Sequence, residues 1–427
     1  MQLTKRLAEL VVGTGYEDLP PEVIEYTKLL ALSCFGATVG GSNLRAGRII
    51  IDYVQAQQAA PEAGVHGAGF RTTPEYAALA NGTTAHATEL EDDSFPEGVS
   101  AYTLFPPFLA LAEALSLGGR ELIEAFVVGQ EVQSRLGRGC LKALDRGYLN
   151  LSLYGVLGVA AGAARMLKLD VDKTRMALAL AADQASGIFL HTGTMAHFFA
   201  EGYPGRDGIF AARLAQAGFT GDPNILERHG GFLETVGEPG AFDPEAILAG
   251  WGEHYRVMDI GIKQYPCCFL MQRVIDGVVD LKQTHQLDLK DIREVELESD
   301  TFFLDICSKM DPVSSEETRF SPSHAVAAAL LEPQPRIFMD TFTDERVHDP
   351  RFVEVRRLVK VTTHPEWKRG LLIEPHPITI RLRDGREVRK EVMYASGTPP
   401  NYMPWEGVVK KFRGVAGAVL SDQQMDR

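Results

Sequence analysis

No apolar run in the sequence is long enough to cross a membrane. The most apolar stretch, Leu151 to Ala164, is 14 residues rich in Gly and Ala. A span needs about 20, so this stretch is expected to be a closely packed internal helix. Met1 to Glu9 is polar and charged with no apolar segment behind it, and no secretory leader is expected. The five cysteines (Cys34, Cys140, Cys267, Cys268 and Cys307) show no C-x-x-C spacing. Such usage excludes a zinc site and a disulfide frame and is that of reduced thiols, which sets a cytoplasmic location as the expectation. Basic residues are in deficit, 43 Lys and Arg against 57 Asp and Glu. A nucleic-acid surface needs clustered Lys and Arg, so none is expected. An anionic substrate is still open, because a few buried cations dominate one pocket locally. A strand–G-x-G-x-x-G–helix context, a P-loop and a G-x-S-x-G elbow are all missing, which argues against dinucleotide, P-loop and serine-hydrolase chemistry.

What is present suggests two domains, as the length of 427 residues allows. The first 250 residues read as helix after helix. Leu3, Leu7, Leu10 and Val11 form one stripe, and Val23, Tyr26, Leu30 and Cys34 form another behind Pro20-Pro21. Phe108 to Leu117 is expected to be a helix that Gly118-Gly119 stops; Glu121 to Arg135, Tyr154 to Leu167 and Asp172 to Ala185 follow. Past Gly261 the texture changes to short alternating runs, Val295 to Glu298, Val355 to Thr362 and Ile378 to Leu382, typical of strands. Asp384-Gly385 marks a hairpin turn. Helices are expected at Cys268 to Lys282, His324 to Leu331 and Trp405 to Leu420. The fold class expected is mainly α: a large all-helical domain over 1–260 and 396–427, and a smaller α+β domain over 261–395.

Several segments, in order, carry a resemblance. They are Asn81-Gly82 with His86 and the acidic run Glu89, Glu91, Asp92, Asp93; Gly129 to Arg135; Arg146-Gly147-Tyr148; Gly193-Thr194-Met195 running to Gly202; Gly208 to Ala215; Lys263-Gln264-Tyr265-Pro266; Arg319-Phe320-Ser321; and Lys411-Phe412. Taken together, the chain resembles the MmgE/PrpD family, which includes 2-methylcitrate dehydratase, cis-aconitate decarboxylase and iminodisuccinate epimerase. The resemblance implies a helical domain with a smaller α+β lid, an active site in the cleft between them, no metal or organic cofactor, and a homodimer. It also implies proton or CO2 removal at a carbon next to a carboxylate.

That chemistry needs a proton carrier and cations to hold the developing negative charge. Lys263 stands where the family has a motif lysine, as base or carboxylate binder. His324 stands where relatives usually carry a tyrosine, though a histidine opening an apolar helix is otherwise a packed or capping residue. Glu89 and Asp92 are the candidates for the family's acid–base aspartate, with Asp93 and His86 beside them, and Tyr148 matches an aromatic that lines the site. His197 stands where the family has lysine, with His191 its local competitor, and Arg319 and Gln272 complete the substrate-binding candidates. Leu149, Val99-Ser100 and Gln272 occupy places where the family carries histidine. With fewer cations than a tricarboxylate needs, the chain points away from 2-methylcitrate and cis-aconitate as substrates. The reading that follows is a cofactor-independent lyase acting on a small-molecule carboxylate. An epimerase with two opposed proton carriers is the alternative, and a non-catalytic binding member the alternative of another class.

Overall fold

The computed structural model describes residues 2–332 and 337–426. The chain divides into two compact units: Met1–His191, Phe198–Ile260 and Pro404–Arg427 form one, and Thr192–His197 with Gly261–Met403 the other. The architecture is mainly α, as expected. Among the described residues no helix is long and apolar enough to cross a membrane.

The first unit is a stack of helices. Leu3–Gly13 buries Leu3, Leu7 and Val11 against Val128, Val132, Leu136, Leu157 and Leu178, the stripe its periodicity marks. Pro21–Gly41 starts at a proline, whose fixed φ suits a first helical turn, and buries Val23, Tyr26, Leu30 and Cys34. The late helix Trp405–Ala416 lies on it and buries Val408, Lys411, Phe412 and Val415. Helices Gly119–Gly139 and Gly155–Met166 approach at backbone distance. A Cβ on Gly129 would lie 2.9 Å from the Gly158 carbonyl oxygen, and one on Gly158 2.8 Å from that of Gly129.

In the second unit a four-stranded sheet is ordered Val359–Thr363, Ile292–Ser299, His376–Leu382, Glu387–Val392. The first pair is parallel and the others antiparallel. Helices Phe269–Thr284 and Pro322–Leu331 bury Met271, Val274, Val278, Ala325 and Ala328 in one core with Val295, Leu297, Ile378 and Ile380 of the sheet. The hairpin at Asp384-Gly385 forms, with Gly385 at φ 92°.

Two sequence expectations change. Gly118-Gly119 does not stop a helix: Phe105–Leu115 ends at Ser116, held left-handed at φ 55°, and Gly118 instead opens Gly119–Gly139. Its N–H donates to Glu121 Oε2 at 3.0 Å. Nor is Val355 to Thr362 one strand. Asp349 accepts from Arg351 N at 2.9 Å and caps a helix, Pro350–Arg356, that buries Phe352 and Val355; the strand begins only at Val359.

The glycine contact gives a stability prediction. Gly158→Val forces the two helices apart and is expected to cost at least about 3 kcal/mol, read as a lower urea midpoint at unchanged slope. Gly13→Ala, where nothing lies within 4 Å of an added Cβ, serves as the neutral control. An unchanged midpoint in Gly158→Val would refute the close-approach account.

Candidate functional site: a buried acidic cluster and a cationic loop

In the helical unit, the helix Pro74–His86 carries the chain into the acidic run. A tight turn follows, in which Thr88 Oγ1 donates to Ala85 O at 2.8 Å and Leu90 N donates back to Thr88 Oγ1 at 3.3 Å. The run is interior, not a solvated loop: Glu89, Glu91 and Asp92 are buried and Asp93 half-buried. Carboxylates inside a protein are costly unless paired or protonated, so each one's surroundings decide its state.

Asp92 is fully enclosed. Its Oδ1 accepts from Ala101 N at 2.8 Å and from Ser100 Oγ at 3.4 Å, while Oδ2 has no hydrogen-bond partner. Burial pushes its pKa up to about 7; the Ala101 N–H and the Lys411 ammonium pull it back, and Glu91 adds to the rise. Lys411 is brought from the far end of the chain by the helix Trp405–Ala416. It donates to Leu90 O at 2.6 Å and stands over the Tyr102 ring at 6.0 Å. Tyr102 OH also donates to Leu90 O, at 2.9 Å. His86 Nε2 lies 3.8 Å from Glu91 Oε1, and its ring is edge-on to Phe198. Glu97, also enclosed, accepts from Ser94 Oγ at 2.7 Å and pairs with Arg138 Nε at 3.0 Å.

Glu201 joins this cluster from the start of the helix Gly202–Gln216. It gets there because Gly82 has no side chain: a Cβ on Gly82 would lie 2.6 Å from Glu201 O. Burial drives the Glu201 carboxyl well above its ordinary range, and Glu91, Asp92 and Asp93 drive it the same way.

The second unit carries the basic candidates. Lys263 is buried, in the loop that follows Ile260–Ile262. Gln272 shapes that loop: its Oε1 accepts from Gln264 N at 3.0 Å and Tyr265 N at 2.9 Å, and its Nε2 donates to Tyr265 O at 2.8 Å and Cys267 O at 3.0 Å. Cys268 N donates to Arg319 O at 2.8 Å, so buried Arg319 adjoins the same loop. The His197 ring is edge-on to Phe320 at 5.2 Å, the next residue along from Arg319.

Profiles of known families decide what this arrangement belongs to. The MmgE/PrpD N-terminal domain profile matches residues 5–245, and the MmgE/PrpD C-terminal domain profile matches 265–427. The chain belongs to the MmgE/PrpD family. It is an enzyme of that type. Along nearly its whole length it is similar to three proteins named cis-aconitate decarboxylase. The one from Aspergillus terreus is 25% identical over 99% of this chain and 91% of its own. Those from Homo sapiens and Mus musculus are 27% and 26% identical, each over 98% of this chain and over 89% and 87% of their own lengths.

Within this MmgE/PrpD enzyme the residues singled out from sequence do not all converge. Glu89, Asp92, Asp93 and His86 belong to the acidic run and the turn before it, Lys263 and Arg319 adjoin one loop of the second unit, and His197 packs edge-on against Phe320. His191, the competitor of His197, is exposed. Gln272 uses both ends of its amide to hold the Lys263 loop, so it shapes the site without offering a free group to substrate. His324 and Tyr148 stand outside both the acidic run and that loop. His324 is packed between Phe342 and Phe352, its backbone N–H capped by Ser321 Oγ and its Nε2 donating to Thr341 O at 2.9 Å. Burial pushes it down to about 4, leaving a neutral imidazole committed to its own core. Tyr148 packs half-buried on the helical core and bridges Ile188. Sequence reasoning missed Glu201, Glu97, Ser100 and Tyr102 as members of the cluster. Lys411 was visible only as part of a matching segment; nothing local marks a lysine 319 positions from Asp92 as its counter-charge.

A raised carboxyl pKa has a stability signature with a defined sign. In the unfolded chain Asp92 ionises near about 3.9, and in the folded protein near 7. The folded state therefore holds the extra proton between these values, and stability falls as pH rises through that window. Asp92→Asn escapes this loss. Its stability relative to wild type is expected to rise from pH 4 to pH 7 and then level off, the change being at most about 4 kcal/mol and read as a widening gap in melting temperature. A gap independent of pH would contradict the assignment.

Proposed function

We propose that this enzyme is a lyase that removes CO2 or water from a small carboxylate, with Asp92 as the group that carries the proton. The observation that supports this most is the state of Asp92. A carboxyl pushed up to about 7 by burial is present in both acid and base forms near neutral pH, the condition under which a general acid–base group works best. Loss of CO2 leaves an electron pair on the carbon it departs from, and that carbon then takes a proton from an acid. Loss of water begins with removal of a proton next to a carboxylate and ends with an acid protonating the departing hydroxide. Either course needs one group that holds a proton reversibly and cations that stabilise the carboxylate-conjugated charge. Lys263 and Arg319, both buried, are the cations of this reading. The names of the similar proteins favour decarboxylation. The replacement of several family histidines, as at Gln272, favours a substrate with fewer or differently placed carboxylates than cis-aconitate.

The test is a panel of small di- and tricarboxylates that includes cis-aconitate, assayed for release of CO2, loss of water and exchange of substrate protons in D2O. Net loss of CO2 or water from one member is the expected result; proton exchange with neither would make the enzyme an epimerase. On the active substrate, Asp92→Asn is expected to lower kcat by about a hundredfold or more. Lys263→Ala is expected to lower kcat/KM by about a hundredfold, the weight of one lost charge-assisted carboxylate contact. Turnover surviving both changes would overturn the reading. The reading needs no metal, so prolonged treatment with a chelator is expected to leave turnover unchanged.

A further inference from the structure

Glu201 is the acidic group least accounted for by its surroundings. It is fully enclosed, neither oxygen makes a well-formed hydrogen bond, and among the described residues no lysine or arginine pairs with it. An ionised carboxylate in that position would cost several kcal/mol. The group therefore holds its proton at rest and is ionised only transiently, and its O–H lacks the well-formed acceptor that buried donors ordinarily have. Beside it is the Ser100 hydroxyl, which is also 3.4 Å from Asp92 Oδ1 and accepts from Tyr102 N at 3.1 Å. One hydroxyl thus adjoins two enclosed carboxyls, and each of these has an oxygen without a partner.

We propose that Glu201 is the proton store for Asp92, exchanging one proton with it through the Ser100 hydroxyl. This rests on the reading of Asp92 as the acid–base group. When Asp92 has given up its proton, the Ser100 hydroxyl proton passes to Asp92 Oδ1 and the Glu201 proton passes to Ser100 Oγ. Ser100 ends unchanged, Asp92 is a carboxylic acid again and Glu201 is a carboxylate, so the pair has moved one proton and no bond between heavy atoms has changed. The reverse passage returns that proton to Glu201, and Asp92 then regains its own from outside the pair, as the proton it removes from substrate or from water, so one turnover leaves the pair unchanged. Glu201 touches no reacting atom in this scheme and is a positioning residue that acts through Asp92.

The other charged and titratable groups facing the pair are known. Glu91 and Asp93 come from the acidic run, with His86 next to Glu91, and the Cys34 thiol faces both carboxyls from the helix Pro21–Gly41. Tyr102 and Lys411 stand near Asp92. Lys411 is the cation that tips the pair's single charge toward Asp92, so the stored proton rests on Glu201.

Infrared titration reads the carbonyl stretch of protonated carboxyls, and it is applied to the whole protein from about pH 5 to about pH 9, the span in which a coupled pair separates into two steps. Wild type is expected to lose two such protons in two steps, the second above neutrality. Glu201→Gln and Asp92→Asn are each expected to abolish the upper step and leave a single one at least about one pH unit lower. On the substrate found in the carboxylate panel, Glu201→Gln and Ser100→Ala are expected to lower kcat at least about tenfold, with the alkaline limb of the profile displaced and KM little changed. The proposal is overturned if Glu201→Gln leaves the protonated-carboxyl signal intact, or if the Asp92 step has the same midpoint with and without Glu201. A merely structural Glu201 would change melting temperature without moving either midpoint. If Asp92→Asn loses turnover while Glu201→Gln keeps the wild-type pH profile, only the store fails. If Asp92→Asn keeps turnover, the acid–base reading fails and takes the store with it.

Discussion

The site in the helical unit depends on one constraint: Asp92 is enclosed, and its charge is offset only in part. Full solvation would return it to an ordinary carboxylate, ionised and inert as an acid at neutral pH. A direct bidentate ion pair would hold it ionised still more firmly. The structure does neither. It gives Asp92 one firm backbone donor from Ala101, one long contact from Ser100, and a nearby ammonium at Lys411 that donates to Leu90 O. The balance among burial, one donor and one nearby cation sets the carboxyl near 7.

Much of the helical architecture follows from that requirement. Enclosing several carboxyls takes close-packed walls, and the small residues at Gly82, Gly129 and Gly158 let backbones meet where side chains would hold them apart. The late helix Trp405–Ala416 lies on Pro21–Gly41 and buries Phe412 and Val415 there, which carries Lys411 to the acidic run. In the second unit the same economy of placement appears in Gln272. One amide fixes four backbone groups of the Lys263 loop, so the position of a buried lysine is set by a residue that carries no charge.

The sequence made the architecture legible because the signals for it are local. Helical stripes, proline starts and the Asp384-Gly385 turn each act within a few residues, and the family resemblance placed the acidic run and the Lys263 loop. Where local signals compete, the sequence is ambiguous. Gly118-Gly119 serves equally as an end or a beginning, and Asp349-Pro350 turned the first part of an apparent strand into a helix. The site was legible only in part, for a different reason. Which residue of the acidic run matters depends on burial, and burial is decided by distant segments such as those of Glu201 and Lys411. His324 illustrates the converse: its place in a matching segment suggested chemistry, but two phenylalanine rings and the Thr341 carbonyl hold it inside a core.

The most direct measurement is the titration of Asp92 itself, by carbon-13 NMR of aspartate labelled at the side-chain carboxyl and assigned by its loss in Asp92→Asn. The account predicts one aspartate with a midpoint near 7, rising further when Lys411 is replaced by methionine. If the signal that Asp92→Asn removes titrates below about 5, in the ordinary range of exposed carboxylates, the central claim is contradicted.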